Sequence, residues 1–295
     1  EKLVLFYLFR IQSVEFNKDQ YLNSIININQ NILNEAREKD KVKPESIYSL
    51  HGIPVLLKDN INYDGLPTTA GSFALNNNKT KNAFVVEKLL ENGALIIGKT
   101  NLSEWAYYFC NNCPSGYSAM GGQTLNPYGR KKFDSGGSSS GSGVAISANF
   151  SSVSLGSETS GSILSPSSAN SIVGLKPTIG LVSRSGIVPI SSTLDTSGPM
   201  TKNVIDNAIV LKAISGFDQD DTFSVKKNNI DLESIINSSL KGKRFGVFND
   251  FLDDSLYSNA INKIEKLGGI IIKFDPPQVD FSGFRKILDY DMKND

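Results

Sequence analysis

Residues 135–143 read S-G-G-S-S-S-G-S-G. A run of that composition is ordinarily a flexible linker. Its surroundings argue for another role. Val144 to Ala148 is mostly apolar with helix-forming alanines, Val153 to Leu155 has the character of a strand, and a second small-residue turn, G-S-E-T-S-G-S, follows at 156–162. Both Gly/Ser runs therefore lie between elements of a core, where close backbone approach and active-site turns belong.

Working outward, the N-terminal side predicts a helix over Leu3 to Ile11 and another over Tyr21 to Ala36, the latter from the spacing of Leu22, Ile25, Ile26, Ile32, Leu33 and Ala36. Arg37 to Ser46 is a polar connector. Ile53 to Leu57 reads as a buried strand ending at Lys58–Asp59–Asn60. Asn82 to Glu91 reads as a helix, Ala94 to Ile97 as a strand, Ser103 to Tyr108 as a short helix, and Cys110 to Phe133 as loop. On the C-terminal side an amphipathic helix is expected at Val204 to Ile214 and an acidic surface turn at Asp218 to Asp221. Asn228 to Leu240 is mixed. A strand at Arg244 to Phe248, a helix at Ser255 to Leu267, a strand at Gly269 to Phe274 and the start of a helix at Phe284 to Asp295 follow. Helices alternating with short strands predict an α/β fold, and no internal repeat is visible.

Composition excludes several classes. Among 295 residues, 30 basic side chains balance 30 acidic ones, so no overall field draws the chain to nucleic acid or a membrane surface. The apolar runs are too short to span a bilayer, and Leu3 to Phe9 lacks the length and cleavage site of a signal peptide. The first residue is Glu1 rather than Met, so the compartment stays open: cytoplasmic by default, exported if a leader has been removed. Cys110 and Cys113 have redox-pair spacing but read more simply as two small residues in a polar loop. Four-ligand zinc is not expected with His51 as the sole histidine, and no cofactor is implied.

Two motif matches fail on context. G-A-L-I-I-G-K-T at 93–100 satisfies the phosphate-loop pattern, but its middle is a strand and a helix precedes it. G-S-S-S-G at 137–141 satisfies the hydrolase elbow around Ser139, yet no apolar strand leads into it and no histidine follows. With serines abundant and histidine absent downstream, a base of another kind is needed, and a desolvated lysine can serve. Lys58, at the end of an apolar strand, is the candidate, against the plainer reading of a solvated strand-end lysine.

The wider pattern is H-G-I-P-V-L-L-K-D-N at 51–60, G-L-P-T-T-A-G-S at 65–72, G-A-L-I-I-G-K-T-N at 93–101, G-G-S-S-S-G-S-G at 136–143, G-S-E-T-S-G-S-I at 156–163, G-L-K-P-T-I-G-L-V-S-R at 174–184 and D-T-S-G-P-M at 195–200. In content and order this resembles the amidase signature family. The resemblance implies a mixed β-sheet core flanked by helices on both faces in three layers. It also implies a single domain over 1–295 that is the N-terminal portion of a longer, C-terminally incomplete family domain. It places the family's base on Lys58, its shuttle serine on Ser138 after a cis peptide bond from Gly137, and its nucleophile on Ser162. The two serines stand 24 positions apart with no gap.

The implied mechanism is a Ser-Ser-Lys relay with an acyl-enzyme on Ser162. Backbone N–H groups of Thr159, Ser160, Gly161 and Ser162 form the oxyanion hole, and Ser139 either supports the relay by hydrogen bonding or is a simple turn residue. Asp59 and Asn60 hold the lysine loop, Glu158 stands where Asp is more common, and Arg184 pairs with a carboxylate. N-L-S-E-W-A at 101–106, G-G-Q-T-L-N-P-Y at 121–128 and the triple serine are similar to the peptide amidase branch. Leu164, where many members carry Arg, speaks against the alternative, the glutaminase subunit of a glutamyl-tRNA amidotransferase. A non-catalytic scaffold is the alternative of another class. The expected partner is a peptide or small amide substrate, with no nucleic acid, no membrane and an open oligomeric state.

Overall fold

The computed structural model describes residues 1–44, 46–110, 112–226 and 230–295. Their backbone contacts form two compact units, 1–230 with 288–295, and 231–287. The first unit contains, in chain order, α1 (Lys2–Glu15), β1 (Ile25–Ile28), α2 (Ile32–Asp40), β2 (Pro54–Lys58), α3 (Phe84–Glu91), β3 (Leu95–Thr100), β4 (Tyr117–Ser118) and β5 (Gly122–Gln123). It continues with α4 (Ser140–Ser147), β6 (Val153–Glu158), α5 (Leu164–Ala169), β7 (Val173–Gly174), β8 (Thr196–Thr201) and α6 (Val204–Ile214).

A six-stranded sheet in the order β1-β3-β2-β6-β8-β7 forms its centre. β2 pairs in parallel with β3 and β6, while the other ladders are antiparallel. The period-2 alternation of strand side chains splits the core into two layers. Val55 and Leu57 of β2, Ile96 of β3 and Val153 and Leu155 of β6 face a cluster with Val85, Val86 and Leu89 of α3 and Val210 and Ile214 of α6. Leu56, Leu95 and Ile97 face the opposite cluster, with Val4, Tyr7 and Ile11 of α1, Ile32 and Ala36 of α2, and Val144 and Ala145 of α4. At roughly 1.5–3 kcal/mol for each fully buried aliphatic side chain, both faces are strongly held. This is the mixed three-layer α/β arrangement expected.

The small-residue run is the first turn of α4 and the loop before it, and Ser138 to Ile146 are all buried. A Cβ on Gly141 would lie 2.4 Å from the Ser24 carbonyl oxygen and 2.5 Å from the Asn101 nitrogen. No larger residue permits that approach. Ser142 Oγ donates to the Leu155 carbonyl at 3.0 Å, and Ser154 Oγ donates to the Ser142 carbonyl at 3.0 Å. The serines stitch α4 to β6, which is why the run is a core element and not a tether.

Several expectations are corrected. Tyr21 to Ala36 is not one helix: Ile25–Ile28 pairs with β3 as an edge strand, and the helix starts at Ile32. The Asn29 side chain makes the break, with Nδ2 donating to the Ile96 carbonyl at 3.0 Å and Oδ1 accepting from the Asn31 N–H at 2.9 Å. Such local bonding competes with helix, and the β-branched residues before it suit a strand. The polar connector is shorter than expected, because α2 runs through Asp40. The second Gly/Ser turn is also shorter, because β6 continues through Glu158. The loop from Cys110 contains the β4–β5 pair. In the acidic turn at Asp218 to Asp221, Gln219 and Asp220 are exposed as expected, but Asp218 and Asp221 are buried.

The second unit contains α7 (Leu232–Ile236), β9 (Arg244–Phe248), α8 (Ser255–Lys266) and β10 (Ile270–Phe274), with β9 and β10 in parallel. This is the expected strand–helix–strand pattern. The mixed stretch from Asn228 lies partly outside the described residues; its described part includes α7. The last helix, α9 (Phe284–Asn294), spans the boundary between the residues of the two units.

Candidate active site

Lys58 ends β2, between β3 and β6, and its side chain is fully buried. Its Nζ lies 2.8 Å from Ser138 Oγ, 2.9 Å from Ser157 Oγ and 3.2 Å from the Ser157 carbonyl oxygen. Burial pushes the ammonium down from the ordinary lysine value of 10.5 to about 7, against the charges of Asp195 and Glu158, which favour the charged form. A neutral amine has two hydrogens and one lone pair. The Ser157 carbonyl can only accept, and Ser157 Oγ also accepts from Asn60 Nδ2 at 2.8 Å. With both hydrogens directed at Ser157, the lone pair is left for the Ser138 hydroxyl.

Ser138 follows the cis Gly137–Ser138 peptide bond. Its carbonyl accepts from the Ser103 N–H at 3.0 Å. The next residue ties the two serine segments together, since the Ser139 N–H donates to the Ser162 carbonyl at 3.1 Å. Ser139 Oγ donates to the Ser157 carbonyl at 3.1 Å. Ser138 and Ser162 line one cavity of about 270 Å³ with Asn60, Ser157, Thr159 and Asp195. No hydrogen bond joins the Ser138 and Ser162 hydroxyls among the described residues.

The turn after β6 carries the other groups. Gly161 has φ +85°, a conformation that favours glycine, although a Cβ there would meet nothing. The N–H groups of Thr159, Ser160 and Ser162 have no acceptor among the described residues. That of Gly161 is already donated to Glu158 Oε1 at 2.8 Å, so the expected four-donor oxyanion hole has three open members.

Two contributors escaped the sequence reading. Ser157 sits inside G-S-E-T-S-G-S-I with nothing local to mark it, and it is the residue to which Lys58 is anchored. Asp195 opens the D-T-S-G-P-M motif and lines the cavity. It accepts from Thr159 Oγ1 and from the N–H groups of Ile190 at 2.7 Å and Ser191 at 2.9 Å. Burial pushes its carboxyl up despite those bonds. A lone carboxylate far along the chain from Lys58 carries no local signal of their proximity.

The remaining expectations resolve structurally. Lys99, the lysine of the rejected phosphate-loop match, is fully buried in β3, 3.5 Å from Asp59. Its Nζ donates to the Ile61 carbonyl at 2.6 Å and to Thr68 Oγ1 at 3.0 Å. Burial lowers Lys99 to about 8 and raises Asp59. Asp59 also braces the lysine loop, its N–H donating to the Thr100 carbonyl at 3.1 Å. Arg184 pairs with a carboxylate as expected: its Nε donates to Asp221 Oδ2 at 3.0 Å. His51 Nε2 lies 2.9 Å from the Lys39 carbonyl oxygen, and the residue is not among those lining the cavity. Cys110 and Cys113 are not merely two small loop residues but are joined in a disulfide. Leu164 is 48% exposed at the start of α5. Among the described residues no helix is long and apolar enough to cross a membrane.

The site thus holds a buried lysine of lowered basicity, a serine hydroxyl against it and a second serine on a Gly-rich turn, carried by an α/β sheet. The family model described as Amidase matches residues 2–284, and the chain belongs to the amidase family. It is 42% identical over 283 residues to a probable amidase of Arabidopsis thaliana, covering 92% of this chain and 54% of the relative. It is 40% identical over 286 residues to a glutamyl-tRNA(Gln) amidotransferase subunit of Thermoanaerobacter pseudethanolicus, covering 94% of this chain and 57% of the relative. The crystal structure of the peptide amidase from Stenotrophomonas maltophilia matches with a TM-score of 0.92 and 40% identity, over 99% of this chain and 62% of that one. The chain thus spans little more than half the length of these curated relatives.

Proposed function

We propose that this chain carries the catalytic relay of an amide hydrolase in which Ser162 is the nucleophile, Ser138 the proton shuttle and Lys58 the base. The observation that carries the reading is the wholly buried Lys58 amine, 2.8 Å from Ser138 Oγ and neutral in part near pH 7. Neutral Lys58 takes the Ser138 proton as Ser138 takes that of Ser162. Ser162 Oγ then attacks the amide carbonyl. The negative oxygen is stabilised by the N–H groups of Thr159, Ser160 and Ser162, whose small neighbours let substrate approach the backbone. Ser138 returns a proton to the leaving amine, the C–N bond breaks, and water releases the acyl group by the reverse path.

The substrate reading is the C-terminal amide of a peptide, with release of ammonia. Leu164, where many members of the family carry Arg, weighs against the glutaminase alternative. A glutaminase role is the second reading, favoured by the 40% identity to the amidotransferase component. Ammonia release from an amidated peptide and from glutamine, by the chain and by Ser162→Ala, tests both. Ser162→Ala is expected to lose at least about 10³-fold in kcat/KM. Activity surviving that change refutes the nucleophile assignment, and preference for glutamine refutes the peptide reading.

A further inference from the structure

Glu158 takes no proton in the relay, yet its carboxylate spans the nucleophile turn. Oε1 accepts from the Gly161 N–H at 2.8 Å. Oε2 accepts from the N–H groups of Ile163 at 2.6 Å and Leu164 at 3.0 Å. Residues on both sides of Ser162 are therefore tied to one side chain. That side chain is itself anchored: Glu158 is 3% exposed, and its backbone pairs with Thr196 in β8. The residue before α5, Ile163, offers no side-chain cap, so the carboxylate satisfies the first N–H groups of that helix from across the turn.

We propose that Glu158 is a positioning residue that holds the nucleophile turn in its reactive shape and withholds the Gly161 N–H from the oxyanion. Thr159, Ser160 and Ser162 are then the donors that bind the negative oxygen. The proposal rests on the Ser162 reading above. A carboxylate suits this task better than an amide, because both its oxygens accept and all three partners are N–H donors. The same charge reaches the base. Glu158 from the end of β6 and Asp195 from the residue before β8 both hold the Lys58 proton on, against the larger effect of burial. On the turn itself, Lys176 Nζ donates to the Thr159 carbonyl at 2.8 Å.

The test compares Glu158→Gln and Glu158→Asp with the unaltered chain and Ser162→Ala. It measures kcat and KM on one amidated peptide from pH 5 to 9, with thermal unfolding alongside. Glu158→Gln sets an amide N–H against a backbone N–H. It should lower kcat roughly 10–100-fold while KM stays within about twofold, the signature of misplaced chemistry rather than lost binding. It should also move the acid limb of kcat to lower pH, since a charge that favours protonated Lys58 is gone. Glu158→Asp is one methylene too short to keep all three bonds but keeps the charge. It should lower kcat and leave the limb in place.

Wild-type kcat and an unmoved limb in Glu158→Gln overturn the proposal alone, provided Ser162→Ala is inactive. A limb that moves equally in both Glu158 variants also overturns it. Activity surviving Ser162→Ala overturns the relay and this proposal with it. If Glu158→Gln does not fold, Glu158→Asp decides, and a wild-type kcat there overturns the proposal.

Discussion

Replacing Lys58 by Met keeps an unbranched side chain of similar length and removes the amine, so it tests the neutrality of the base without reference to activity. The fall from 10.5 to about 7 on burial amounts to about 5 kcal/mol of preference for the uncharged form, at about 1.4 kcal/mol for each pH unit. The unfolded chain binds this proton up to about pH 10 and the folded chain only up to about pH 7, so the unfolded state holds more protons in between. Stability contributed by this group therefore rises with pH across that window. Below about pH 7 the full penalty acts, and by pH 9 roughly 2 kcal/mol of it remains. From pH 6 to 9 the unaltered chain should gain about 3 kcal/mol in unfolding free energy relative to Lys58→Met. The hydrogen bonds lost to Ser138 and Ser157 offset part of the variant's gain, but they shift the two curves vertically and leave the slope. Urea titrations at several pH values read this directly. Trp105, the single tryptophan, lies in the unit that holds the site and reports on it. A difference that stays constant from pH 6 to 9 would mean Lys58 carries the same charge folded and unfolded, and the base assignment would fall.

Two further outcomes follow from other features of the first unit. Lys99→Met leaves Asp59 buried without its cation, and should cost about 3–5 kcal/mol; adding Asp59→Asn should restore much of that loss, as urea unfolding of the single and double variants would show. Cys110→Ser opens a bridge between positions only three apart, so the loss should be near 2 kcal/mol and not the larger value of a long loop. Thermal unfolding of the unaltered chain with a thiol reductant should match the variant, and a larger drop in either would mean the bridge does more than close that short loop.

Much of the molecule was legible before its structure. The helix at Val204 to Ile214 and the strand at Arg244 to Phe248 fall on their predicted residues, because an apolar run bounded by polar residues is a local property of a chain. The helix is not one-sided, however: Val204 and Ile205 are exposed and Asn207 is buried. The Tyr21 to Ala36 reading failed because isoleucines can satisfy either period, and the deciding partner of Ile25–Ile28 is β3, some 70 positions away. The buried Asp218 and Asp221 were misread for a related reason: what removes an acid from water is a partner such as Ser183 or Arg184, and nothing in a four-residue acidic turn reveals one.

The site divides in the same way. Sequence by itself determined that Lys58 ends an apolar strand and that Ser138 and Ser162 lie on Gly/Ser-rich turns, because motif order and spacing are written along the chain. Only the tertiary structure decided that Lys58 is wholly desolvated and anchored on Ser157, that Asp195 and Glu158 face it, and that Gly161 has given its N–H to Glu158. Each of these depends on distance through space. A lysine's proton affinity and a backbone donor's availability are set by what surrounds them after folding, and adjacency in sequence does not record it.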